Sequence, residues 1–207
     1  MSPRWLSRTL VALAVPALVV PALATPASAA KAPEVPSVAQ VTKIYPHLGG
    51  ESYVTHDKVY RSTKNCKQGK AIKGATATFA SYTVGDPADQ AATGAKPSVF
   101  TTAMKFRTAK AASAYLRASG KTVKCPLEGP EGEDIKIKVT KITFKLGEER
   151  QGWTISATFD QTRLVAHALV VRKGKHLVTT GVSSSDGKKP SVKKAVKFTK
   201  VAIKTAS

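Results

Sequence analysis

Cysteine, acidic residues and aromatic residues are all scarce in this 207-residue chain. It has two cysteines, 13 acidic residues against 33 basic ones, and an aromatic content of 6%. Two cysteines without a nearby histidine do not supply the closely spaced ligands of a zinc site. The formal net charge of +20 means that a partner attracted by charge would be an anion.

Long apolar runs are also scarce. One uncharged apolar stretch, residues 10–20, follows two arginines and precedes the small residues 27–30. This order is typical of a secretory signal peptide, and the stretch is too short and too interrupted by proline, at Pro16 and Pro21, to span a bilayer. A retained helix is the alternative. We expect residues 1–30 to be removed on export and the remaining chain to be secreted without a transmembrane anchor.

Catalytic motifs are absent from the sequence. It contains no G-x-S-x-G, H-E-x-x-H, G-x-G-x-x-G or P-loop pattern, and none of its four histidines lies in a recognisable catalytic or metal-binding pattern. We therefore predict that the protein is not an enzyme and uses no cofactor and no metal ion.

Alternation of apolar and polar residues is the clearest structural signal, and it extends from Ile135 to Ser183. In the first segment the apolar phase slips by one residue, which predicts a β-bulge near Thr140. Gly174 suits a tight hairpin turn, because such turns need a positive φ angle. Four successive antiparallel strands are predicted, at residues 135–146, 153–159, 164–171 and 176–182.

The preceding sequence predicts further strands and two helices. Strand patterns occur at residues 75–84 and 99–106, and a weaker one at 52–61. Ser37 begins a helical pattern that extends to Leu48, and Thr108 begins another that ends at Gly120. We expect one α+β domain at residues 38–207, an antiparallel β-sheet with helices packed on one face, after a flexible leader at residues 31–37.

The end of the chain predicts an amphipathic helix. Its apolar stripe is formed by Val192, Ala195, Val196, Thr199, Ala202 and Ile203, and lysines lie largely on the opposite side. Such a helix can cover a sheet or lie on an anionic membrane. Core packing is favoured because the stripe follows directly on a sheet that needs covering.

The two cysteines are predicted to form a disulfide bond. Cys66 precedes the first well-defined strand and Cys125 follows the internal helix. In an oxidising compartment outside the cell the two thiols should pair.

A family resemblance is carried by the order of elements and a few motifs across residues 38–206. These are Cys125-Pro126 after the internal helix, a strand with Trp153, the run Thr162-Arg163-Leu164-Val165, and the run from Arg172 to Val178 before the terminal helix. In these features the chain resembles the PknH-like extracellular sensor domains, which are exported actinobacterial modules. The family usually has an asparagine where this chain has Lys175. The resemblance implies an antiparallel sheet backed by helices, with a cleft for a ligand.

Two functions follow as expectations. One is a secreted, monomeric, sensor-like domain that binds an unknown small ligand in a cleft lined by Trp153, His167 and Arg172. Two of these have a structural alternative: Trp153 as a core residue, and His167 as a hydrogen-bonded core residue on a central strand.

The other function is electrostatic binding of cell-surface polyanions, such as an anionic wall polymer, anionic lipid or extracellular nucleic acid. Its candidate contacts are Lys136, Lys138, Lys141, Lys145, Lys193, Lys194, Lys197, Lys200 and Lys204. The salt dependence of binding distinguishes the two functions, because the affinity for a polyanion falls steeply as ionic strength rises.

Overall fold

The computed structural model describes residues 31–63, 66–85, 97–123, 125, 127–128, 134–135, 137–159, 162–184 and 186–207. The predicted signal peptide at residues 1–30 and the predicted contact residue Lys136 lie outside this part of the chain.

The described residues form nine strands: β1 (Ser52–Ser62), β2 (Gln68–Tyr82), β3 (Ser98–Lys105), β4 (Leu127–Glu128), β5 (Asp134–Ile135), β6 (Ile137–Lys141), β7 (Glu149–Phe159), β8 (Thr162–Lys173) and β9 (His176–Ser184). Seven of them form one antiparallel sheet in the order β1-β2-β3-β9-β8-β7-β6. The last four in this order are consecutive along the chain, which confirms the predicted succession of strands, and β3 pairs with β9 to join the first three. A separate pair consists of β4 and β5.

Three helices cover this sheet: α1 (Val38–Thr42), α2 (Ala109–Thr122) and α3 (Val192–Ala206). Adjacent residues of a strand face opposite sides. On β8, Val170 packs in a cluster with α2, whereas Val171 packs in a cluster with α3. The α+β antiparallel class is thus confirmed, but the helices lie on both faces of the sheet and not on one. The reason is that β8 is apolar on both sides, so both faces need a cover.

The segment after β6 differs from the predicted bulged strand. The strand ends at Lys141, and residues 142–148 leave the sheet. Ile142 still donates its N–H to the Gly152 carbonyl at 2.8 Å, but Ile142 and Phe144 pack against the core cluster that contains α3. The shifted apolar phase therefore marks the point where the chain turns to cover α3.

Two helices end at different residues from those predicted. The first stops at Thr42 and not at Leu48, which agrees with Pro46 disfavouring helical backbone at the residue before it. The second continues through Gly120 to Thr122. A Cβ atom on Gly120 would lie 2.7 Å from Oε1 of Gln151, so this glycine permits a close approach between α2 and β7 instead of ending the helix.

Residues 31–37, predicted to be a flexible leader, form no helix or strand but lie against the domain. Pro33 and Pro36 are buried, and Val35 packs against two core clusters. The buried Tyr82 hydroxyl donates to the Pro36 carbonyl at 2.7 Å.

Cys66 and Cys125 form the predicted disulfide, with an S–S distance of 2.05 Å. The bond joins the connection between β1 and β2 to the chain that follows α2.

Candidate functional site

The three residues predicted to line a cleft do not share one face of the sheet. Trp153 pairs with Ala168 across the strands, and its neighbour Thr154 pairs with His167. Trp153 packs in the core cluster beneath α2, which places His167 on the α3 face. Arg172, two residues beyond Val170 on the same strand, faces α2. No single cleft between the sheet and one helix can therefore contain all three.

Arg172 is held in an ionic network. Its Nη1 lies 2.7 Å from a carboxylate oxygen of Glu148 and donates to the Gly174 carbonyl at 2.8 Å. Its Nη2 lies 3.0 Å from Oε1 of Glu149. The hydroxyl of Ser113 on α2 donates to the other Glu149 oxygen at 2.8 Å, and this bond, with the Arg172 charge, lowers the pKa of Glu149. The network joins α2 to the turn before β7 and to the hairpin after β8.

His167 is a buried residue with a hydrogen bond at each ring nitrogen. Its Nε2 donates to the Pro190 carbonyl at 2.6 Å, since a carbonyl can only accept, and the Thr154 hydroxyl lies 3.1 Å from Nδ1. Burial lowers the pKa of His167 and favours the neutral ring. His167 thereby fixes the backbone immediately before α3.

The structure forms a cleft of about 450 Å³ on this α3 face, at the amino-terminal end of the helix. Three separate parts of the chain supply its walls: the segment after α1, the residue before β3, and the stretch from the end of β9 to the first turn of α3. The lining residues are Tyr45, His47, Pro97, Ser184, Asp186, Lys188, Lys189, Pro190, Ser191 and Lys194.

Local hydrogen bonds shape the cleft. Ser191 caps α3, and its hydroxyl accepts the Lys194 N–H at 3.3 Å. His47 donates Nε2–H to the Pro97 carbonyl at 2.9 Å, which ties the segment after α1 to the start of β3. Asp186 accepts hydrogen bonds from the Ser184 hydroxyl and the Lys188 N–H. These bonds lower the pKa of Asp186, so its carboxylate is ionised.

Tyr45 gives this cleft its least usual feature. The residue is 2% exposed, and its ring lies edge-on against Phe198 with 6.2 Å between centroids. Its hydroxyl is covered and has no hydrogen-bond partner among the described residues. Burial raises the pKa of this hydroxyl, so it remains protonated and able to donate. Because most buried polar groups are paired, this one needs an explanation.

The charge of the cleft is predominantly positive. Three lysines line it against one aspartate, and Lys188 Nζ lies 3.7 Å from that aspartate. Lys189 and Lys194 appear in no ion pair within the described part of the chain.

A row of exposed lysines continues from the cleft along α3. It is formed by Lys193, Lys194, Lys197, Lys200 and Lys204. Across the described residues, none of the ion pairs involves this lysine row. Lys138, Lys141 and Lys145 are also exposed. Lys194 belongs both to the cleft and to the lysine row.

The described residues contain neither a candidate metal site nor a candidate membrane-spanning helix. No group of three or more histidine, cysteine, aspartate or glutamate residues there could hold a metal ion. None of the helices described is long and apolar enough to cross a membrane.

Comparison with solved structures reveals a fold likeness. The chain is similar to the extracellular domain of PknH from Mycobacterium tuberculosis, with a TM-score of 0.51 and 11% identity, over 83% of this chain and 92% of that one. The fold is that of the PknH extracellular domain. This bears out the resemblance read from the sequence at the level of fold.

Two other mycobacterial structures align less closely. An uncharacterized protein from Mycobacterium smegmatis gives a TM-score of 0.40 at 10% identity, over 82% of this chain and 96% of that one. LpqN of Mycobacterium tuberculosis, described as involved in cell envelope biogenesis, gives 0.29 at 10% identity, over 74% and 81%. No protein-family model matches the chain, and no curated protein matches it in sequence.

Proposed function

We propose that this protein is a secreted, monomeric, non-catalytic domain that binds a small ligand in the cleft at the amino-terminal end of α3. The observation that carries the proposal is the cleft itself, a cavity of about 450 Å³ whose walls combine the buried residue Tyr45 with three lysines and one aspartate.

The chemistry of the cleft supports binding over catalysis. Its one histidine and its one aspartate already hold structural hydrogen bonds: His47 to the Pro97 carbonyl, and Asp186 to Ser184 and Lys188. His47 bonds a backbone carbonyl and not a nucleophile, and Asp186 holds the Ser184 hydroxyl directly, without the intervening histidine of a catalytic triad. The predicted signal peptide and the likeness to the extracellular domain of another protein support a location outside the cell.

A thermal-shift screen with a panel of small molecules tests this function. We expect at least one compound to raise the melting temperature progressively as its concentration rises, because a ligand that binds only the folded state stabilises it by RT ln(1 + L/Kd), where L is the free ligand concentration. Lys188→Trp should weaken that response by narrowing the cleft mouth. Lys200→Trp is the matched control, since it makes the same change at an exposed position on α3, outside the cleft. An equal response in both variants would place the ligand elsewhere.

The lysine row supports a second candidate function, the binding of a cell-surface polyanion. Five exposed lysines on one helix, with no ion-pair partner in the described part of the chain, form an extended positive surface. Exposed lysines of this kind bind phosphates mainly through counterion release, so affinity should fall steeply as salt rises. Polyphosphate or anionic vesicles should then bind less tightly to Lys197→Gln and Lys204→Gln variants, and affinity that is insensitive to salt would exclude this function.

A further inference from the structure

An aromatic surface lies on the α2 face of the sheet, formed by side chains of β1, β2 and β3. The strand register places Tyr53 opposite Ser81, and Ser81 opposite Phe100. Phe79 precedes Ser81 by two residues and follows Ala77 of the core cluster beneath α2 by two, so it faces the same side. Tyr53, Phe79 and Phe100 are therefore neighbours on one face, and we call them the aromatic platform.

The rings of the platform lie on the sheet and not in its core. The rings of Phe79 and Phe100 are 6.1 Å apart between centroids and 32° from parallel, so their faces point in a similar direction. A Cβ atom on Gly181 of β9 would lie 2.0 Å from two carbons of the Phe100 ring, so this ring occupies the space of the missing side chain. Tyr53 is 63% exposed, and the two phenylalanines are half-buried. Cover for Gly181 accounts for Phe100 but not for the exposed ring of Tyr53 beside it.

The surroundings of the platform are hydroxyl-rich and uncharged. The register places five serine and threonine residues beside the rings on the same face: Thr55, Ser81, Ser98, Thr102 and Ser183. Neither these residues nor the three aromatic ones carry a charge, in a chain with 33 basic residues. A polyanion is attracted by positive charge, so an uncharged surface on so basic a protein suits a neutral ligand.

We propose that the aromatic platform binds a neutral saccharide, at a site on the opposite face of the sheet from the cleft. One face of a pyranose ring presents C–H groups, which carry slight positive charge and pack on the negative face of an aromatic ring. The sugar hydroxyls donate and accept hydrogen bonds, as serine and threonine hydroxyls do. Neighbouring strands lie about 4.8 Å apart, so rings on three adjacent strands extend over about 10 Å and can contact more than one sugar unit.

Tyr53 and Val54 provide a matched pair of substitutions. They are adjacent on β1 and are 63% and 41% exposed, but they face opposite sides of the sheet. Tyr53→Leu removes the ring, keeps an apolar side chain and should weaken saccharide binding about tenfold, the loss expected for one aromatic contact. Tyr53→Phe keeps the ring and should retain most of the affinity. Val54→Ala should leave the affinity unchanged, and all three variants should keep the melting temperature because both positions are exposed.

The experiment is a titration of the purified protein with cellohexaose, mannohexaose and maltohexaose, followed by amide chemical shifts. Saturable shifts centred on the platform, with the variant effects above and an affinity that does not fall as salt rises, would support the proposal. If none of the three saccharides produced saturable shifts, or if Tyr53→Leu bound as tightly as the unchanged protein, the proposal would be overturned.

Two other probes test ligands that also pack on aromatic side chains, single-stranded oligothymidylate and a proline-rich peptide. If the platform amides respond to the oligonucleotide in a salt-dependent way and not to the saccharides, the platform binds nucleobases and the proposal is wrong. A response to the peptide alone would overturn it as well. Saccharide-induced shifts confined to Tyr45 and Ser191 would support the cleft as the ligand site and reject the platform, so the two proposals can fail separately.

Discussion

Replacing Phe198 by alanine tests the role of α3 most sharply. Phe198 is fully buried and contacts two other aromatic rings edge-on, Tyr45 at 6.2 Å and Tyr82 at 6.1 Å between centroids. Truncation of a buried phenylalanine to alanine typically lowers the free energy of unfolding by about 3–5 kcal/mol. We expect a loss in this range, because the ring lies between the sheet, α1 and the segment after α1.

The assay is denaturant unfolding followed by circular dichroism, with Val192→Ala as the control. Val192 lies on the same helix but is 37% exposed, so its truncation should change the free energy of unfolding by about 0.5 kcal/mol or less. If Phe198→Ala lost less than about 1 kcal/mol and instead abolished binding to anionic vesicles, α3 would be an interfacial helix. That result would refute its place in the core.

Three further predictions concern turns, the disulfide and pH. Gly147→Ala should destabilise the fold more than Gly174→Ala. Both residues have positive φ, but an added Cβ at Gly147 would lie 2.5 Å from a Val171 methyl carbon, whereas the site at Gly174 is open. Equal losses in the free energy of unfolding, measured with denaturant, would contradict this. Reduction of the disulfide, which spans 59 residues, should lower the free energy of unfolding by about 4 kcal/mol, and an unchanged denaturation midpoint would be inconsistent with a structural bond. Burial lowers the pKa of His167 from 6.5, so the contribution of this residue to stability is fully present above about pH 6.5 and is lost as the pH falls towards the folded-state pKa. His167→Gln should therefore flatten the decline of the melting temperature between about pH 7.5 and 5.5, and an unchanged slope would exclude His167 as the source of that decline.

Sequence alone predicted the strands of the sheet well, because alternation of side chains between two faces is a local property. The strands β7, β8 and β9 lie where that alternation indicated. The phase slip near Thr140 was detected but misinterpreted. A bulge and the end of a strand shift the apolar face in the same way, and only the packing of Phe144 against the α3 cluster distinguishes them.

The terminal helix shows a similar limit. Its amphipathic pattern predicted a helix correctly, and four residues of the predicted stripe are buried, but two are not and the buried face also includes Phe198 and Ala206. Val192 is exposed and Val196 half-buried, whereas Phe198, absent from the predicted stripe, is fully buried. The orientation depends on the ring of Tyr45 and on the sheet beneath, which are distant in sequence.

The cleft was not predicted because its walls come from three distant parts of the chain. Of its lining residues, Lys194 alone was singled out as a contact, and for the polyanion-binding alternative. The available signals were weak: Pro190-Ser191 marks a helix start, and Tyr45 precedes a proline. Nothing local indicates that the Tyr45 ring would lie against Phe198 of α3.

The most direct test of the account is an amide chemical-shift map of the protein with a compound that raises its melting temperature. Ligand binding in the cleft predicts the largest shifts at Tyr45, Ser191 and Val192, with little change along α2. Largest shifts around Ala112 and Leu116, on the opposite face of the sheet, would contradict it.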